Sequence, residues 1–190
     1  MAAGAPRVTL VENDAELFGI SALQRANLKA DRTAADIAEQ GFVTLVHSVE
    51  TLRAMHALAP SVIAKAGEEV VGYALTMPVE ARALVPSLEP MFEALARASW
   101  RGAPFTQQRY YVMGQICVAR AFRGSGLFAA LYAEHDTRYA SRFDCMVTVV
   151  SPSNARSLRA HAKVGFEALV RYGDAGEEWV IVVRPFAAAR

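Results

Sequence analysis

The sequence predicts an α/β fold, an α+β mixed sheet flanked by helices, and three observations carry that reading. Asp144 to Val150 is an almost unbroken apolar run, as in a strand covered by helices on both faces. Arg109 to Val118, rich in β-formers, runs into a basic loop punctuated by glycines, with a helix directly behind it. Along the chain the apolar period switches between two and 3.6, giving a strand, helices, three strands, a helix, a strand, a helix and two strands. With 190 residues, 53% of them hydrophobic, the expectation is one domain over 1–190 with a sizeable core.

Taken in order, Arg7 to Val11 reads as the first strand. Asp14 is the expected N-cap of a helix whose apolar face is Leu17, Ile20, Leu23 and Leu28. Thr33 to Glu39 reads as a further helical turn or two, ended by Gly41. Ser48 caps a helix from Val49 to Leu58, which stops before Pro60. Val62 to Lys65 and Val70 to Met77 form a hairpin around Gly67-Glu68-Glu69. Pro78 to Gln108 then interrupts the sheet with a helix carrying Met91, Phe92, Leu95 and Trp100; it reads first as a satellite packed on the sheet and second as a lid or dimer contact. Behind the central strand, Leu127, Ala130 and Leu131 share a helix face, with Glu134 and Arg138 as an exposed i,i+4 pair. Pro152 to Lys163 is a short helix closed by Gly165, and Phe166 to Arg171 with Glu177 to Arg184 makes the last hairpin.

Composition excludes several classes of function. A formal net charge of +1 gives no long-range attraction to nucleic acid or to an anionic membrane. No apolar run approaches the roughly 20 residues that span a bilayer, and Met1 to Arg7 carries no hydrophobic signal region. Cys117 and Cys145 fall in strands and make no disulfide framework, so a reducing cytoplasm is expected. Lysine occurs only at 29, 65 and 163, and with the many alanines this arginine preference reads as bacterial coding bias.

The loop Ala119-Arg120-Ala121-Phe122-Arg123-Gly124-Ser125-Gly126 suits a diphosphate. Two glycines one residue apart let successive N–H groups turn inward, the following helix adds unpaired donors and the positive end of its dipole, and Arg120 and Arg123 add charge. A nucleotide P-loop needs Gly-Lys-Ser/Thr, yet Leu127 follows Gly126. Gly124, Gly126 and Ala129 fit the dinucleotide fingerprint, with Asp144 at a suitable distance. Five residues, however, separate the strand from the first glycine, and Asp144 precedes its strand. A hydrolase elbow would put Gly at 123, where Arg stands.

Val118 to Leu127 resembles the acyl-CoA pyrophosphate loop of the GNAT N-acyltransferases, and a second GNAT-like block follows in Asn154-Ala155-Arg156-Ser157, His161 and Gly165-Phe166. The resemblance is detailed from Tyr110 to Pro185 and architectural before that. It implies an acetyl-CoA-dependent N-acetyltransferase using acetyl-CoA as acyl donor, with no metal, working by direct attack of a primary amine in a ternary complex. The amides of Arg123, Gly124, Ser125, Gly126, Leu127 and Phe128 would take the pyrophosphate. The central strand would bulge and splay, so that main chain at Ile116, Cys117 and Val118 pairs with the pantetheine arm. Asn154 is either an arm contact or a helix N-cap, and Ser157 fits the small position that lets the arm pass. His161 stands where the family often has a tyrosine general acid. Gln115 stands where many members carry a glutamate, and would orient a water or the acceptor; Ala121 replaces the usual Gln or Arg. His47 and Glu39 fall in the presumed acceptor wall, and Tyr132 and Tyr111 are reserve acids. Relative to the family plan, 78–108 is an insertion. The expected partner is a small-molecule amine or peptide acceptor, with a homodimer possible and neither nucleic acid nor membrane involved. A non-catalytic acyl-CoA-binding module of the same fold is the alternative, and a nucleotide-dependent oxidoreductase ranks below it.

Overall fold

The computed structural model describes residues 5–28, 43 and 45–186. The expected helical turns at Thr33 to Glu39, the candidate Glu39 and the Ala-rich tail after Phe186 lie outside the described residues.

The strands are β1 (Arg7–Leu10), β2 (Val62–Ala66), β3 (Glu69–Pro78), β4 (Ser99–Trp100), β5 (Ala103–Pro104), β6 (Tyr110–Val118), β7 (Cys145–Val150), β8 (Glu167–Asp174) and β9 (Glu177–Pro185). The helices are α1 (Asp14–Arg25), α2 (Val49–Leu58), α3 (Glu89–Arg97), α4 (Leu127–Tyr139) and α5 (Ala155–Lys163). Seven strands form one sheet in the order β1-β2-β3-β6-β7-β9-β8, and β4 and β5 form a separate two-stranded ribbon. Within the large sheet β6 and β7 run parallel and the other neighbours are antiparallel, so the sheet is mixed as the sequence predicts.

Period-two alternation decides what each face buries. Val62 and Ala64 of β2, with Met146 of β7, join Leu127, Leu131, Tyr132 and Tyr139 of α4 in one apolar layer. Ile63, between them, turns to the other face and packs with Leu17 and Ile20 of α1 and Leu52 of α2. On that second face Cys145 and Val147 meet Met91, Phe92 and Leu95 of α3. The interruption between β3 and β6 is therefore packed on the sheet.

Four local expectations are corrected. Asn13, not Asp14, caps α1: its Oδ1 accepts from Glu16 N–H at 3.1 Å, while Asp14 begins the helix and pairs with Arg53 of α2 at 2.9 Å. The helix ends at Arg25, and Leu28 instead bridges to Val43. Trp100 leaves the helix for β4, where its Nε1–H donates to Glu167 at 2.8 Å. Finally, α5 begins at Ala155 rather than Pro152, because the Asn154 side chain closes its first turn. No helix among the described residues is long and apolar enough to cross a membrane.

Candidate active site

The site lies where the sheet comes apart. β6 and β7 are in register only at Tyr110–Cys145, Tyr111–Met146 and Val112–Val147, and beyond Val112 the pairing stops. On its other side β6 pairs with β3, but Gly114 and Gln115 together oppose Leu75, since Met113 faces Thr76 and Ile116 faces Ala74. That extra residue is a β-bulge, which bends the strand and increases its twist, carrying the end of β6 away from β7. Two clefts meet at the opening, sharing Val43, Ile116, Asn154 and Ser157.

The first cleft, about 600 Å³, is lined by the end of β6, the glycine loop and α5. Gly124 and Gly126 have φ of +80° and +85°, and a Cβ at either would meet nothing within 4 Å. Two left-handed glycines with open space beside them stand at the start of a 13-residue helix, a geometry that suits an anion cradle. Four cationic side chains line this cleft (Arg123, Arg156, Arg159 and Lys163), and none of its described lining residues is acidic. An acyl-CoA carrying a diphosphate fits this donor set.

Charge reaches the cradle from a different element than the sequence reading assigned. Arg123 spends its guanidinium on the protein, donating from Nε to the Val118 carbonyl at 2.9 Å and from Nη2 to Asn27 Oδ1 at 2.7 Å. It ties the end of β6 to the residues behind α1. Arg120 is exposed and does not line the cleft. The basic stripe is Arg156, Arg159 and Lys163 on α5, whose i, i+3, i+7 spacing puts them on one helix face and was visible in the sequence. Ser125 lies outside the lining and donates its hydroxyl to the Phe122 carbonyl at 2.7 Å. Ile116, Cys117, Val118, Leu127 and Phe128 all line the cleft, and Cys117 is also part of the core beneath it. Asn154 Oδ1 accepts from Ser157 N–H at 3.1 Å, so it caps α5 from within the lining of both clefts.

The second cleft, about 740 Å³, runs from the bulge to the β8–β9 hairpin and contains Gln115, His47 and His161. Gln115 is a strut. Its Oε1 accepts from Gln24 Nε2 at 2.8 Å and Tyr73 OH at 2.6 Å, and its Nε2 donates to the Leu45 carbonyl at 2.9 Å. Gln24 Oε1 in turn accepts from His47 N–H at 2.9 Å, so one amide network holds α1, the bulge and the 45–47 segment together. One Gln115 N–H remains beyond these bonds.

His161 is 2% exposed and boxed edge-on by Phe128, Tyr132 and Phe166. Its Nδ1 lies 2.8 Å from the Ser157 carbonyl, which can only accept, so Nδ1 carries the hydrogen, and Nε2, buried without a partner among the described residues, carries the lone pair of the neutral ring. Burial lowers its pKa to about 4. The acid role expected for His161 calls for a charged ring, and burial disfavours that form. Desolvation also lowers the pKa of His47. The reserve tyrosines, Tyr111 and Tyr132, are buried in the core outside both cleft linings. Among the described residues no group of three or more His, Cys, Asp or Glu is placed to hold a metal ion.

Comparison with known proteins agrees with this geometry. The chain superimposes on the ribosomal-protein-S18-alanine N-acetyltransferase from Escherichia coli with a TM-score of 0.62 at 12% identity, over 97% of this chain and 96% of that one. It matches a GNAT superfamily phosphinothricin acetyltransferase from Sinorhizobium meliloti in complex with acetyl-CoA, with a TM-score of 0.60 at 16% identity, over 96% and 89%. A GNAT family N-acetyltransferase from Escherichia coli in complex with CoA gives a TM-score of 0.57 at 17% identity, over 96% and 82%. At these identities the likeness is one of fold. No curated protein matches the chain in sequence. The family model described as acetyltransferase (GNAT) family matches residues 31–166, a span that takes in the bulged strand, the glycine cradle and α5, and the chain belongs to that family.

Proposed function

We propose that this protein transfers the acetyl group of acetyl-CoA to a primary amine, by direct attack while both substrates are bound. The observation that carries the proposal is the opening between β6 and β7, where a cleft whose described lining carries only cationic charge meets a second cleft at Ile116, Asn154 and Ser157. The cradle amides from Arg123 to Phe128 hold the pyrophosphate, helped by Arg159 and Lys163. Main chain from Ile116 to Val118, left without a β7 partner, pairs with the pantetheine arm as a strand would. An N–H there polarises the thioester oxygen. Ser157 leaves room for the arm, and Asn154 keeps α5 in place beside it.

The amine enters as an ammonium ion and has to lose a proton before it attacks. His47, neutral because it is buried, receives that proton at the wall of the acceptor cleft. His161 Nε2 accepts the second proton from the nitrogen as the amide forms and passes it to the departing sulfur. An imidazolium held at a pKa of about 4 gives its proton up readily. Gln115 positions the wall rather than reacting.

Titration calorimetry with acetyl-CoA, followed by an amine panel with a free-thiol readout, tests the proposal. The wild-type protein should bind acetyl-CoA saturably and release CoA with at least one amine. Gly124→Trp should abolish binding while circular dichroism stays unchanged, because an indole fills the open cradle. Undiminished affinity in that variant overturns the site. Tight binding with no turnover on any amine would favour the non-catalytic module.

A further inference from the structure

The chain between β3 and β6 does more than cover the sheet, because its first part reaches the acceptor cleft. Val85, Ser87 and Leu88 all line that cleft. Leu88 is half-buried and packs against the same apolar cluster as Val149 of β7 and Tyr172 of β8, which are half-buried too and line the cleft beside it. Three elements thus contribute to one apolar shelf that is still partly open to solvent. Leu45 adds a fourth apolar side chain to the lining and is 38% exposed. Its backbone is pinned, since the Leu45 carbonyl accepts from Gln115 at 2.9 Å and His47 N–H donates to Gln24 at 2.9 Å.

Leu88 is fixed in the same way. Pro86 and Pro90 stand on either side of it and lock φ at both positions. Arg82 Nε donates to Glu89 at 2.8 Å, and the same guanidinium lies 4.8 Å over the Phe92 ring, which ties the turns at 79–88 to α3. Farther along, the bond from Trp100 to Glu167 fastens the segment to β8. The shelf is therefore preformed, and covering it costs little ordering entropy.

We propose that Leu88 is a specificity-determining residue and that, with Leu45, Val149 and Tyr172, it selects as acceptor a primary amine whose body is apolar. The inference rests on the acetyl-transfer reading above and specifies its substrate class. An apolar body laid on the shelf takes its own surface and that of the shelf out of water together. A polar body gives up its hydration there, and Leu45, Leu88 and Val149 offer no hydrogen bond in exchange. The cleft joins the donor cleft at Ile116, Asn154 and Ser157, so a body resting on the shelf can place its amine toward that junction.

A ladder of n-alkylamines from propylamine to hexylamine tests this, with 5-aminopentan-1-ol as the hydroxyl match of hexylamine. At saturating acetyl-CoA, with CoA release as the readout, kcat/KM should climb about two- to fourfold per methylene. Hexylamine should exceed its hydroxyl match about tenfold. In Leu88→Ser the ladder should flatten, hexylamine losing about fivefold while propylamine turnover and acetyl-CoA affinity hold. Serine suits this position, which is the N-cap of α3, so the variant keeps its fold. Leu84→Ser is the control: Leu84 is 37% exposed in the same segment and outside the described lining, and its loss should leave the ladder unchanged. A flat wild-type ladder overturns the inference, as does a hydroxyl match as good as hexylamine. A ladder that stays steep in Leu88→Ser, or that Leu84→Ser flattens equally, also overturns it. Turnover of none of these amines, with acetyl-CoA still bound, overturns the substrate class. Failure to bind acetyl-CoA strikes instead at the transferase reading, so the two failures are distinct.

Discussion

A single ring shows how burial rewrites a role read from sequence. His161 occupies the position where the resemblance implies an acid, and an ordinary imidazole would supply one near neutrality. Here Phe128, Tyr132 and Phe166 exclude water from it, and the Ser157 carbonyl takes its Nδ1–H. Burial lowers its pKa to about 4, which favours the neutral ring near neutrality. Two outcomes follow. His161→Phe should lower kcat more than tenfold while changing acetyl-CoA affinity less than threefold, because the replacement keeps the aromatic packing and removes Nε2. The kcat profile of the wild type should also show no inflection near pH 6.5 from this residue, which stopped-flow thiol release between pH 5.5 and 8 would reveal. An inflection there that disappears in the variant would mean that the ring is solvated.

At the scale of elements, what was legible in the sequence was local and what was hidden was long-range. The glycine loop, the helix behind it and the cap at Asn154 depend on neighbours within a few residues, and each was readable. The hold of Gln115 on Gln24 and Tyr73, 91 and 42 positions away, is announced by nothing in its local sequence. Arg123 was read as a phosphate ligand because nothing local announces Asn27, 96 positions distant. The stripe on α5 was the reverse case, with a plain helical spacing and no reading attached. It now carries a prediction. Arg159→Ala with Lys163→Ala should weaken acetyl-CoA about 5- to 20-fold at low salt, from exposed charge contacts worth about 0.2–1 kcal/mol each and somewhat more at an anion site. The loss should shrink at 0.5 M salt, where screening acts within about 4–5 Å, and pantetheine, which lacks the phosphates, should bind both proteins alike. A loss equal for CoA and pantetheine would place the stripe outside the phosphate site. Within the cradle, Gly126→Ala forces a side chain to φ of +85° and should cost about 1–2 kcal/mol of stability, read as a lower urea midpoint.

Across the whole molecule, two buried imidazoles, one in the acceptor cleft wall and one in the core, set the tolerance of acid. His135 is completely buried beside Tyr111, with its pKa lowered to about 3, and His161 is held at about 4. Desolvation is the first cause in both. In the unfolded chain each would titrate near 6.5. Below that value the unfolded state binds protons that the folded state refuses, so stability is complete above pH 6.5 and falls as the pH drops toward 4. Each ring contributes a slope of up to about 1.4 kcal/mol per pH unit. Together they would remove about 5 kcal/mol between pH 6.5 and 4.5, which rivals the whole stability of an ordinary domain at about 5–15 kcal/mol. Asp144, whose pKa is lowered by its hydrogen bond from Arg109, acts later, because a carboxylate held low gives up its contribution only at more acid pH. Urea midpoints at pH 7.5, 6.5, 5.5 and 4.5 should therefore be level over the first interval and drop steeply over the next two. His161→Phe should start from its own value at pH 7.5 and lose about half of that slope, since one of the two rings has gone. A wild-type curve that stays level to pH 4.5 would show that water reaches these rings, and the neutral-acceptor role of His161 would go with it.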